Sequence, residues 1–121
     1  MRSWLFLAAV NGALAVLCGA FAAHGLKTRL STEMLSVFDT AARYHLIHAV
    51  AMGLAALAAE RVNARLAKLA AGLFLAGMVL FSGSLYLLAL TGATAFGYVT
   101  PFGGLAFVAG WLALALAALQ A

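Results

Sequence analysis

The chain has 121 residues, 67% of them hydrophobic and 8% charged, with a formal net charge of +4. An ordinary soluble domain carries roughly 25% charged residues, so this composition excludes a globule with a water-facing surface. The seven Lys and Arg sit at chain ends and turns, without the basic stripe or aromatic platform that nucleic acid requires, and from Leu69 to Ala121 there is no Asp, Glu, Lys, Arg or His at all.

Such a stretch needs lipid as its solvent, because only there can a helix be apolar all round. The expected fold is all-α: one integral membrane domain over residues 1–121, a four-transmembrane-helix bundle with an amphipathic lead-in before helix 2. The first span covers about 4–24, roughly 30 Å of helix, the thickness of a hydrocarbon core. Arg2, an apolar run and Ala20-Phe21-Ala22 imitate a signal peptide, but the run is of spanning length and reads as a retained helix. Cys18 lies inside it as a small hydrophobe, and with one cysteine no internal disulfide forms. Asn11 is its one strongly polar side chain. Asn11, Ala15, Gly19 and Ala23 recur every four residues as a small-residue ridge for a neighbouring helix, and Gly25 is a stop.

Lys27-Thr28-Arg29 forms a basic turn, after which Ser31 or Thr32 caps a helix with Glu33 in its first turn. Residues 34–44 read as an amphipathic surface segment in which Asp39 and Arg43 have the favourable i,i+4 order. The second span, about 44–60, is short for a crossing, so Arg43 either snorkels to the interface or holds a partner. Glu60, Arg61, Asn63, Arg65 and Lys68 make a polar hairpin. The third span, about 68–91, is interrupted by Ser82-Gly83-Ser84 and Tyr86. A Gly- and Thr-rich turn follows, and Thr100-Pro101 reads as N-cap and first helical residue. The fourth span covers about 101–120, with Ala106 and Gly110 as a second ridge. Basic residues number four on the side of the termini and three on the other, which favours cytoplasmic termini.

Threading four spans gathers the polar side chains on the side opposite the termini. His24 ends span one. Asp39, Arg43, Tyr44, His45 and His48 lead into span two, where Thr40, Tyr44 and His48 share a face. Ser82, Ser84 and Tyr86 lie in the same half of span three, and Thr100 opens span four. Polar groups at such depth bond to one another between helices or line a wet cavity. Specific chemistry is poorly supported. His45 and His48 lack a third ligand at metal spacing, His24 and His48 are the only pair for a bis-His haem, and Ser82 or Ser84 lacks a base-plus-carboxylate set. No catalytic residue, metal or cofactor is therefore expected, and the candidate ligand or polar-cluster positions are His24, Asp39, Arg43, Tyr44, His48, Ser82, Ser84, Tyr86 and Thr100.

Four blocks carry a family resemblance: Gly19-Ala-Phe-Ala-Ala-His24-Gly25-Leu26; Thr40-Ala-Ala-Arg43-Tyr44-His45-Leu-Ile-His48-Ala49; Phe81-Ser-Gly-Ser-Leu-Tyr86-Leu-Leu-Ala-Leu-Thr91-Gly92; and Thr100-Pro-Phe-Gly-Gly104 through Ala109-Gly-Trp111. In this order they resemble the small bacterial membrane proteins of the domain of unknown function 423 family, relatives of transmembrane protein 256. The resemblance implies a four-span helical inner-membrane protein and no enzyme activity. The expected function is a non-enzymatic membrane protein whose one-sided polar layer organises the helices and binds a lipid headgroup or a membrane-protein partner, alone, as a homo-oligomer or in a larger complex, and without nucleic acid. A proton-coupled or small-solute transporter and a haem- or metal-binding redox protein are the alternatives. A transporter needs a polar path to both sides, and the aliphatic near half offers none in a monomer.

Overall fold

Caps and glycines set the element bounds in the computed structural model, which describes residues 1–121. Helix α1 runs Arg2–His24 and closes at Gly25. Ser31 caps α2, Thr32–Ala58, its Oγ accepting the Met34 N–H at 3.1 Å. Asn63 caps α3, Ala64–Gly77, its Oδ1 accepting the Leu66 N–H at 3.1 Å. A π-helical turn, Met78–Ser82, leads without a break into α4, Gly83–Thr91. Gly92 stops α4 in the left-handed region at φ 73°, where a side chain would be strained. A 3-10 turn, Thr94–Tyr98, then delivers the chain to α5, Thr100–Leu119. Four helical stretches are long and apolar enough to cross a membrane: α1, α2, α3 through α4, and the last from Thr94. Phe6, Leu17, Val50, Leu57, Val79, Leu105 and Leu119 stand exposed around them, as side chains facing lipid do.

Several local expectations are revised. The lead-in runs, as expected, into the second span, the two forming one helix of 27 residues, about 40 Å long, so that only the shortness of the crossing is revised. Ser82-Gly83-Ser84 does not interrupt the third span. The π turn absorbs the irregularity, with the Gly83 N–H reaching back to the Met78 carbonyl. Val99, not Thr100, is the N-cap of α5, because the Thr100 hydroxyl is engaged with Ser84 instead. On α1 the buried row is Ala8, Ala15 and Ala22, while Ala23 faces outward. A repeat of seven keeps one seam toward a neighbour only if the helices wind gently left-handed.

Helix α2 is the centre of the bundle, packing on α1, α3, the π turn and α4, whereas α5 packs on α3 and the π turn. The contact between α3 and α5 is built from reciprocal glycine and phenylalanine. A Cβ at Gly77 would run into the Phe107 ring, and one at Gly110 would come within 2.7 Å of the Phe74 ring. At Gly103 a Cβ would meet main chain, the Phe81 nitrogen first and then the Leu80 carbonyl carbon at 2.7 Å. Bare glycine thus lets α5 lie directly against the π turn, the close approach that lipid-embedded helices use in place of a hydrophobic driving force. At the opposite end, the Asn63 N–H donates to the Ala117 carbonyl at 3.1 Å and Asn63 Nδ2 to Gln120 Oε1 at 3.3 Å. The α2–α3 hairpin and the C-terminus are joined there.

Candidate functional site

His45 falls at the midpoint of α2 and His48 one turn further on. Both are buried. His45 Nε2 lies 2.9 Å from Asn11 Oδ1 on α1, and its Nδ1 lies 2.9 Å from the Tyr86 hydroxyl on α4. Asn11 Nδ2 donates to the Leu7 carbonyl at 2.9 Å, which fixes Oδ1 as the atom facing His45. The ring therefore donates from Nε2 to Asn11 and accepts at Nδ1 from the Tyr86 O–H. One imidazole joins three helices.

His48 carries the opposite tautomer. Trp111 Nε1, which can only donate, gives its proton to His48 Nε2 at 3.1 Å, so His48 Nδ1 donates to the Tyr44 carbonyl at 2.8 Å. This bond ties α2 to α5. Phe107 lies flat on the same imidazole, with centroids 3.5 Å apart and planes 9° apart, and Phe74 and Trp111 close the other sides at 5.7 and 6.0 Å. Beyond this aromatic box the Thr100 and Ser84 hydroxyls are hydrogen-bonded at 2.6 Å, with the Phe81 carbonyl 2.9 Å from Ser84 Oγ as a further acceptor. That chain fastens α5 to the segment after the π turn.

The nine sequence candidates thus separate. His48, Tyr86, Ser84 and Thr100 enter interhelical hydrogen bonds. Tyr44 contributes its ring, 4.9 Å from Phe81, and remains 40% exposed on the lipid side. Ser82 Oγ is fully buried beside the π turn with no hydrogen-bond partner. Asp39 and Arg43 form an exposed ion pair, Nη2 to Oδ2 at 3.0 Å, one helical turn apart. His24 is exposed at the end of α1 and takes no part in the cluster. The sequence reading left Asn11, His45 and Trp111 out of the candidate set. Asn11 was visible as the lone polar residue of its span and His45 as a possible ligand, but Trp111 stood out only as the end of the fourth family block, with nothing to mark it as a partner of His48. No three His, Cys, Asp or Glu side chains converge as a metal set would, and both nitrogens of His45 and of His48 are already engaged.

The layer also lies deeper than the sequence suggested. Asn11, His45 and Trp111 sit near the middle of their helices, while Tyr86, Ser84 and Thr100 sit toward the side away from the termini. On that side the last turn of α1, the basic connection and the first turns of α2 border an open groove of about 490 Å³, lined by Ala22, Ala23, Lys27, Thr32, Leu35, Ser36 and Asp39.

Four membrane-length helices, joined through their interior by paired histidines and offering lipid an apolar exterior, define a small multi-span integral membrane protein. Residues 18–104 match the family model described as "Protein of unknown function (DUF423)", and the chain belongs to that family, as its four sequence blocks indicate. It is 40% identical to the UPF0382 membrane protein YwdK of Bacillus subtilis, over 99% of this chain and 98% of that one. It is 42% identical to a UPF0382 membrane protein of Haemophilus influenzae, over 94% and 91% of the two chains. To the UPF0382 inner membrane protein YgdD of Escherichia coli it is 37% identical, over 98% and 91%. No solved structure matches the chain.

Proposed function

We propose that this chain is a non-enzymatic membrane protein, with both termini cytoplasmic, whose polar layer locks four spans into a platform and whose groove on the opposite side binds a lipid headgroup. The observation that carries the reading is the closure of the polar network. Every ring nitrogen of His45 and His48 is committed to Asn11, Tyr86, Tyr44 or Trp111. A metal ligand needs a free nitrogen lone pair, and a general base must accept from a reacting group, whereas here the accepting nitrogens take the Tyr86 O–H and the Trp111 N–H inside the bundle. The Ser84 hydroxyl is likewise committed. Apart from the buried Ser82 hydroxyl, polar groups without a partner are found in the groove, where Lys27 is in no ion pair and Thr32 and Ser36 present hydroxyls. A headgroup-binding role uses those groups, and a rigid interior holds the two helices that carry them.

Native mass spectrometry of the full chain released from a mild detergent tests this. Retained phospholipid on the intact protein is the expected result. A protein that sheds every lipid under conditions that keep it folded contradicts the headgroup role.

A further inference from the structure

Deepening the headgroup reading, on which it rests, we infer that the groove between α1 and α2 selects a zwitterionic phospholipid carrying a primary amine, a phosphoethanolamine headgroup. The groove, about 490 Å³, is wide open at the surface, within reach of a headgroup. Helix α2 is about 40 Å long against a hydrocarbon core of about 30 Å, so the first turns of α2, which line the groove, extend into the headgroup layer. Thr32, Ser36 and Asp39 follow i, i+4, i+7 spacing and make one polar stripe on α2. Lys27 faces it from the connection, and Ala22 and Leu35 supply an apolar wall for the glycerol and the first carbons of the acyl chains.

The charges decide between headgroups. Lys27 and Asp39 line the groove, and with Arg43 paired to Asp39 the local charge is net positive, so the phosphate of any phospholipid is attracted and the discrimination rests on what Asp39 accepts. A zwitterion finds a partner for each end. Lys27 with the Thr32 and Ser36 hydroxyls donates to the phosphate oxygens, and Asp39 accepts from the ammonium. The pair with Arg43 occupies only Oδ2 of Asp39 and is solvent-exposed, which leaves Oδ1 for the ligand. Choline fits poorly. A quaternary ammonium has no N–H to give Asp39 and is held by aromatic faces, and no aromatic residue lines this groove.

The test offers the full chain equal amounts of phosphatidylethanolamine, phosphatidylcholine and phosphatidylglycerol in mild detergent, with retained lipid read by native mass spectrometry. The wild type retains the ethanolamine lipid in excess of the other two by about tenfold, the order expected for one charge-assisted contact. Asp39→Asn abolishes that preference while lipid is still retained, Lys27→Gln weakens retention of all three, and Arg43→Gln leaves the preference intact. These residues are on the surface, so the variants keep the bundle. Lipid bound by the wild type without preference, or with phosphatidylglycerol ahead, overturns the amine assignment but leaves the headgroup reading standing. Retention of no lipid overturns the headgroup reading itself.

Discussion

His45 and His48 stand one helical turn apart and carry their protons on opposite nitrogens, because their neighbours leave no choice. The Asn11 carbonyl oxygen accepts only, and so does the Tyr44 main-chain carbonyl, while the Trp111 indole donates only. Nitrogen-15 NMR of histidine-labelled protein in lipid distinguishes the two forms directly. Beside the signal of exposed His24, the expected spectrum has one neutral imidazole protonated at Nε2, assigned to His45, and one at Nδ1, assigned to His48. Trp111→Phe removes the donor to His48, and the His48 signal then changes while that of His45 holds. Much of this was hidden in the sequence for a geometric reason. Asn11 and Tyr86 are visibly polar residues in apolar spans, but which residue they meet depends on how each helix is rotated about its axis. That rotation is set by small residues such as Ala8, Ala15 and Ala22 on α1, whose seven-residue repeat is lost among many other alanines. Tryptophan and phenylalanine are unremarkable in a span, so nothing marked Trp111 or Phe107 as the partners of His48.

At the level of elements, the bundle depends on where glycine allows backbones to touch. Gly103 faces main-chain atoms of Leu80 and Phe81, which cannot rotate away as a flexible side chain would. Gly77 faces Phe107, which is itself pinned by its stack on His48. Gly12 and Gly19 on α1 have nothing within 4 Å of an added Cβ. Identical chemistry therefore has opposite consequences. Gly103→Ala destabilises by about 1–3 kcal/mol through overpacking, and Gly12→Ala stabilises by about 0.5–1 kcal/mol by removing backbone freedom from the unfolded chain. Thermal melts in one detergent, followed by circular dichroism, rank the two against wild type. The helices themselves were well specified by sequence: the Ser31 cap, the Gly25 stop, the Asn63 hairpin and four apolar stretches all have local signals. The π turn had only the Ser-Gly-Ser irregularity to announce it. The sequence shows that something is unusual there, whereas the π geometry and the close approach of Gly103 on α5 beside it are visible only in the packed bundle.

For the whole molecule, α1 is the helix with least to hold it. It packs mainly on α2, and only 17% of its spanning window is buried, against 50% for α2. Apolar packing between helices gains little when lipid tails are equally apolar, so the Asn11–His45–Tyr86 bridge supplies directional contacts that link α1 through α2 to α4. Its strength is modest, since an interhelical hydrogen bond in lipid averages about 0.6 kcal/mol, yet its two ends share one imidazole and should be coupled. Breaking either end frees the ring to move and weakens the other. A double-mutant cycle on reversible unfolding in mixed micelles, using Asn11→Ala, Tyr86→Phe and the pair, measures this directly. The account predicts that the double variant loses less than the sum of the two singles, by about 0.5–1 kcal/mol. Strict additivity would contradict it, for it would mean that α1 and α4 are held independently and that His45 does not join them.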